Sequence, residues 1–170
     1  MNKATLLADA ARPSVRLERH LPDPPSVVWR AITDREQLRS WFPCDVIVAG
    51  GRWEVGAAIT FLFPPEVIDI APTGEVLAVD EPNTLAFSWG AEILRFTLSA
   101  SDGGTRLVLV DELPAGIAAR NAAGWEVCLD RLTGVDPGPD AWRPRFEAYV
   151  LAFEPALGPQ EGPPAGYRGD

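Results

Sequence analysis

Four runs of alternating apolar and polar residues, Thr73–Asp80, Thr84–Trp89, Glu92–Ala100 and Thr105–Glu112, follow one another with almost nothing between them. Their connections, Asp80-Glu81-Pro82-Asn83, Gly90-Ala91 and Ser101-Asp102-Gly103-Gly104, have the composition of hairpin turns. Links this short bring each run back antiparallel beside the last, so the four form a meander. The two-residue period puts Leu85, Phe87 and Trp89 on one face, with Leu94, Phe96 and Leu98, and with Leu107, Leu109 and Asp111. A sheet with one apolar face must bury it under another layer.

The flanking segments supply that layer. Ser14–Leu21 alternates, with Val15, Leu17 and Leu21 on one side and Arg16, Glu18 and His20 on the other, which predicts a half-buried strand. Asp23-Pro24-Pro25 opens a short helix with a capping carboxylate and proline at the first helical positions, and Val28, Ala31 and Ile32 form its buried stripe. Asp34 and Gln37 have capping-box spacing for a second short helix, which carries Leu38, Trp41 and Phe42 and stops at Pro43. Strands are predicted at Asp45–Val48, Arg52–Val55 and Ala57–Phe63, the last with Ile59, Phe61 and Phe63 on one face; Glu66–Pro72 reads as an irregular link. Ile117, Asn121, Trp125, Cys128 and Leu132 recur at helical spacing up to Gly134. After the linker Val135–Asp140, Trp142, Phe146, Tyr149, Val150 and Phe153 mark a final amphipathic helix over about 141–154. Residues 1–13 read as a flexible N-terminus, 14–154 as one domain with its core in 14–133, and 155–170, half proline and glycine, as a disordered tail.

Composition narrows the function. A formal net charge of −9, with scattered arginines, argues against nucleic acid and anionic membranes, both of which demand clustered cations. No stretch approaches the ~20 apolar residues of a membrane span, and the first residues lack the apolar run of a secretory leader. Cys44 and Cys128 stand alone, without CxxC spacing, as expected of two reduced buried thiols in a cytoplasmic protein. His20 is the sole histidine and falls on the polar side of its strand. Its isolation removes pocket-histidine nucleophile schemes and multi-histidine metal sites, so no metal and no cofactor are expected. Gly50-Gly51 opens a strand and lacks a following Lys-Ser/Thr, so it is a turn and not a phosphate loop.

Four pieces in order carry a resemblance: Val28-Trp29-Arg30-Ala31-Ile32-Thr33 with Leu38 and Trp41-Phe42; Gly50-Gly51-Arg52-Trp53; Gly74 to Pro82 followed by Leu85-Ala86-Phe87-Ser88-Trp89; and Gly124 to Asp130. On these the chain resembles the SRPBCC (START-like, helix-grip) superfamily, in its heat-shock protein 90 ATPase activator homologue-like branch. The resemblance implies an α+β helix-grip fold: a curved antiparallel meander gripping a long helix, two short helices after the first strand, and here an extra C-terminal helix. The chaperone-stimulating relatives carry a separate N-terminal domain for which this sequence has no counterpart, so a chaperone partner is not expected.

The helix-grip layout also implies a cavity between sheet and long helix. Phe61, Phe63, Phe87, Trp89, Phe96, Leu109, Asp111, Asn121 and Trp125 are its expected lining, unless these side chains simply fill a core. Asp111 and Asn121 are the polar residues on otherwise apolar stripes. A buried carboxylate requires a partner, water or a ligand, whereas a strand-end position would leave it in water. The leading expectation is a non-catalytic carrier or sensor for a small hydrophobic molecule; the alternative is a cyclase or hydratase using a pocket carboxylate. Val108 and Val110 fall on the outer face. They predict cover by the final helix or by a second subunit of a homodimer, or else form a plain surface pair.

Overall fold

The computed structural model describes residues 3–8, 12–67 and 71–163. Its centre is one eight-stranded antiparallel sheet in the order β1-β2-β8-β7-β6-β5-β4-β3. The strands are β1 (Thr5–Leu7), β2 (Ser14–Leu21), β3 (Asp45–Val48), β4 (Ala58–Leu62), β5 (Thr73–Asp80), β6 (Thr84–Trp89), β7 (Glu92–Ser101) and β8 (Gly104–Glu112). From β5 to β8 the sheet is the meander that the short turns demand, and β3 and β4 extend it through longer links. The first long strand then closes the far side by pairing β2 with β8, Leu17 opposite Leu109.

Helices α1 (Pro25–Thr33) and α2 (Arg35–Leu38) follow β2. Pro25 takes the first helical position, where its missing N–H is no loss, but Asp23 does not cap; Pro24 is the N-cap residue. The carbonyl of Asp23 instead accepts from the Thr105 hydroxyl at 2.7 Å, tying the turn to β8. Asp34 does cap α2, accepting from the Gln37 N–H at 3.0 Å. Trp41 closes the pair by donating its indole N–H to the Ala31 carbonyl at 2.9 Å.

Helix α3 (Ala118–Leu132) lies over the inner face of the sheet, entered through a 3₁₀ turn at Ala115–Ile117. Ala118, Ala119, Ala122 and Ala123 are wholly buried, so α3 sits close to its neighbours on two sides. Helix α4 (Trp142–Leu157) covers the second side, with Tyr149 and Phe153 buried and Trp142 and Phe146 stacked at 4.7 Å. Between the two helices runs a polar layer. Arg19, at the inward parity of β2, is 3% exposed and pairs with Asp130 at 3.3 Å. Arg145 bridges Asp130 and Glu126 at 2.8 and 3.3 Å, and the Tyr149 hydroxyl donates to Glu126 while accepting from the Ala4 N–H.

Several expectations change here. Within the stretch expected to be flexible, Thr5–Leu7 pairs with Ser14–Arg16 as an edge strand, and Ala4 is anchored on Tyr149. Arg52–Val55 is not a strand: Gly50, Gly51 and Gly56 hold positive φ on either side of it, and Trp53 turns inward to donate to the Thr33 carbonyl at 2.8 Å. Helix α4 runs through Pro155 to Leu157, beyond the expected end at 154. Past it, the Gln160 side chain accepts from the Ala119 N–H and donates to the Ala115 carbonyl, both at 2.9 Å, which caps α3 from a distance. Residues 164–170 of the expected tail, and part of the link at 66–72, lie outside the described residues. Val108 and Val110 are half-buried on the outer face. They are flanked by Glu18, Thr97, Arg16 and Arg95 rather than covered by α4, which packs on α3.

Cys44 and Cys128 are both buried and unbonded, as the spacing implied, and burial pushes the Cys128 thiol up to about 12. His20 is exposed, its Nε2 2.9 Å from the Ser101 carbonyl oxygen. Among the described residues no helix is long and apolar enough to cross a membrane.

Candidate functional site

Strand alternation turns the aromatic residues of β4, β6 and β7 inward, where they meet Trp41 and Phe42, just past α2, and Trp125 of α3. Phe61 and Trp89 stack at 4.6 Å, Phe42 lies 5.5 Å from Trp89 and 5.4 Å from Trp125, and Phe87 contacts Phe61, Phe96 and Trp53. The result is a continuous block of rings between sheet and helix.

The nine expected lining residues divide by depth. Phe61, Phe87, Phe96 and Leu109 are sealed, none more than 2% exposed; they are the floor of the site rather than walls facing open space. Phe42 packs on Phe61 and Phe87 and Trp41 on Phe96, so this part of the sheet face is covered by packing. Trp125 and Asp111 are also buried, at 4% and 0%. Phe63, Trp89 and Asn121 are half-buried and form the accessible end, by the β6–β7 hairpin and the first turns of α3.

Asp111 is not a solvated strand-end residue. Its Oδ2 accepts from the Trp125 indole N–H at 2.9 Å and from the Asn121 amide at 3.1 Å. The same Asn121 nitrogen donates to Glu92 Oε1. The two polar residues singled out on separate stripes are therefore partners, because Asn121 and Trp125, four apart, share the face of α3 that meets β8. Glu92 is the residue that sequence reading missed. Its parity matches Leu94, Phe96 and Leu98, so a carboxyl at an inward position of β7 was the available signal.

Asp111 Oδ1 is buried and receives no N–H or hydroxyl donor. Its neighbour is the Glu92 carboxyl, and two carboxylates so close in a buried setting cannot both ionise. Burial, then the charge of Asp111, drives the Glu92 carboxyl well above its ordinary range. Burial also raises Asp111, opposed by the hydrogen bonds from Asn121 and Trp125 that favour its charged form. A single proton held by the pair, on the Glu92 side where burial raises the carboxyl most, would supply the donor that Asp111 Oδ1 lacks.

This arrangement predicts a pH dependence of stability. The native pair holds a proton that the unfolded chain gives up above the ordinary glutamate value of 4.5, and it keeps that proton to about 9. The folded state thus binds more protons across this window, so stability is full below it and falls as pH rises through it, by at most about 1.4 kcal/mol per pH unit. Urea unfolding across the window should show that decline, and Glu92→Gln should flatten it. A decline of equal slope in Glu92→Gln would refute the shared proton. Glu18, lowered to about 2 chiefly by hydrogen bonds from Arg106 and then Arg16, acts only at the acid end.

An opening of about 360 Å³ lies behind α3 between Lys3, Glu126, Arg145, Tyr149 and Phe153, beside the polar layer. No group of three or more potential metal-binding side chains occurs among the described residues.

Among solved structures, a conserved protein of unknown function from Enterococcus faecalis, EF2215, superposes with a TM-score of 0.77 at 22% identity, covering 91% of this chain and 92% of that one. CalU16 from Micromonospora echinospora gives 0.70 at 21% identity, covering 91% and 98%. DynU16, from the dynemicin biosynthetic locus, gives 0.61 at 25% identity over 71% of this chain and 46% of its own. A search of curated proteins finds no match. The family model described as Activator of Hsp90 ATPase homolog 1-like protein matches residues 23–135, which contain both short helices, the whole meander and all of α3. On that match the chain belongs to the Activator of Hsp90 ATPase homolog 1-like family, and its fold is the helix-grip.

Proposed function

We propose that this protein binds a small, largely apolar, ring-bearing molecule at the end of the sheet–helix interface formed by Phe63, Trp89, Glu92 and Asn121, as a carrier or sensor. The observation that supports this most is the Glu92–Asp111–Asn121–Trp125 cluster, its Asp111 and Trp125 buried and its Glu92 and Asn121 half-buried, set against a block of aromatic rings. A core built only for stability gains nothing from a buried carboxyl pair, since replacement of such groups by packed apolar residues is commonly neutral or stabilising. Aromatic surface with a few convergent polar groups is the usual make-up of a small-molecule site. DynU16, a structural neighbour from a biosynthetic locus, is in keeping with a ligand of small-molecule metabolism. The two buried free thiols suit a reducing cytoplasm.

The test is a titration with aromatic, lipid and polyketide-like compounds, read by tryptophan fluorescence and thermal shift. A true ligand at about one hundred times its Kd adds about 2.7 kcal/mol to stability and perturbs Trp89 emission. Silence across all three compound classes removes the proposal.

A second reading is favoured by the shared proton. A carboxyl that stays protonated at neutral pH is equipped for general acid catalysis of the cyclase or hydratase kind, with Asp111 holding the proton in place. Full turnover of an identified substrate by Asp111→Asn would eliminate it.

A further inference from the structure

We propose that the Glu92–Asp111–Asn121 cluster selects ligands bearing an ammonium group, so that the molecule bound at this end is an organic cation on an apolar, ring-bearing body. This rests on the ligand-site reading above and names its chemical class.

Every N–H of the cluster is already engaged. Trp125 spends its only N–H on Asp111 Oδ2. Asn121 has two amide hydrogens and donates to both Glu92 and Asp111, so none remains. Asp111 Oδ1 has no N–H or hydroxyl donor at all, so the one proton that the carboxyl pair holds is needed between the two groups. What remains toward an incoming molecule is acceptors: the Asn121 amide oxygen and the carboxyl lone pairs. A ligand that brings only acceptors finds no complement here and would leave buried polar atoms unpaired.

Charge sharpens the choice from any donor to a cation. Two arginines face the pair from outside: Arg12, whose guanidinium lies 3.6 Å from Glu112 and also donates to the Ala91 carbonyl, and Arg120 on α3, which donates to the Gly162 carbonyl. With Glu92 protonated, Asp111 and Glu112 balance these two arginines. An ammonium that replaces the Glu92 proton preserves this neutrality while forming charge-assisted hydrogen bonds. A carboxylate ligand would add a third negative charge beside two buried carboxyls. The net charge of −9 also draws cations to the protein.

The experiment compares three probes of one shape, naphthylmethylamine, naphthylmethanol and naphthoic acid, by calorimetry at neutral pH in two buffers of different protonation enthalpy. The amine is expected to bind about tenfold or more tighter than the alcohol, with the acid weakest. Amine binding should also release a fraction of a proton, up to one, whereas alcohol binding should release none. In Glu92→Gln the preference for the amine and the proton release should both vanish while the alcohol still binds. An amine no tighter than the alcohol, or a preference that survives in Glu92→Gln, overturns the cation assignment and leaves the ligand site standing. Absence of binding by all three overturns both.

Discussion

Trp125→Ala is expected to lower stability by about 3–5 kcal/mol, the range for deleting a large buried aromatic side chain. Two losses combine. The ring contacts with Phe42 and Trp89 disappear, opening a cavity in the aromatic block. In addition, Asp111 Oδ2 loses its shorter hydrogen bond and keeps only the 3.1 Å contact from Asn121. Trp125→Phe separates these terms: it preserves most of the ring and deletes only the N–H, with a cost of about 1–3 kcal/mol for the carboxylate left short of a donor. Chemical denaturation of both variants measures the difference. If Trp125→Ala unfolds within about 1 kcal/mol of the parent, the residue bounds an already open space, and the sealed core described for its neighbours does not extend to it.

Gly74→Ala is expected to be of similar severity, for a reason of backbone rather than side chain. A methyl group at this position would lie 1.8 Å from the Ser88 carbonyl oxygen and 3.1 Å from the Phe61 ring. Neither can retreat far: Ser88 belongs to β6, and Phe61 is stacked on Trp89. Strand β5 must therefore separate from β6 close to the β-bulge between Val76 and Ala78, at a cost of roughly 3 kcal/mol or more. The neighbouring exposed residue is the control, and Thr73→Ala should stay within about 0.5 kcal/mol. Because the strain falls directly beneath Trp89, Gly74→Ala should also shift tryptophan emission before unfolding. A thermal midpoint unchanged in Gly74→Ala would show that the two strands are not so closely apposed.

How much of the site was legible depends on which forces placed it. Asp111 and Asn121 stood out because each breaks an apolar stripe, and a polar residue on such a stripe must find a partner. That they partner each other follows only from how α3 crosses β8, a registration that no local pattern encodes. Glu92 was hidden by its position at the first residue of a strand, directly after a turn, where a carboxyl is ordinarily solvated. Arg19 was hidden in the same way within β2, where an inward arginine is affordable only because Asp130 on α3 meets it. The open cavity, by contrast, was expected on grounds of architecture. Phe42 packs down on Phe61 and Phe87, and Trp41 on Phe96, which leaves the accessible surface to Phe63, Trp89 and Asn121.

The same division holds for the termini. Proline and glycine after residue 154 lower local order in isolation, yet Gln160 and Glu161 find the unsatisfied backbone groups at the start of α3 and bind there. Thr5–Leu7, too short to read as a strand, is held because β2 offers a free edge and Tyr149 a hydroxyl acceptor.

The amino-acid order alone determined the strands of the meander, the helices and their apolar faces, since periodicity and turn chemistry are local and near neighbours enforce them. Tertiary structure alone decided that Glu92, Asp111, Asn121 and Trp125 converge, and that α4 rests on α3 instead of the outer sheet face. Those outcomes depend on contacts between residues distant along the chain, where close packing and the sharing of a single proton select one arrangement among many that the local pattern permits.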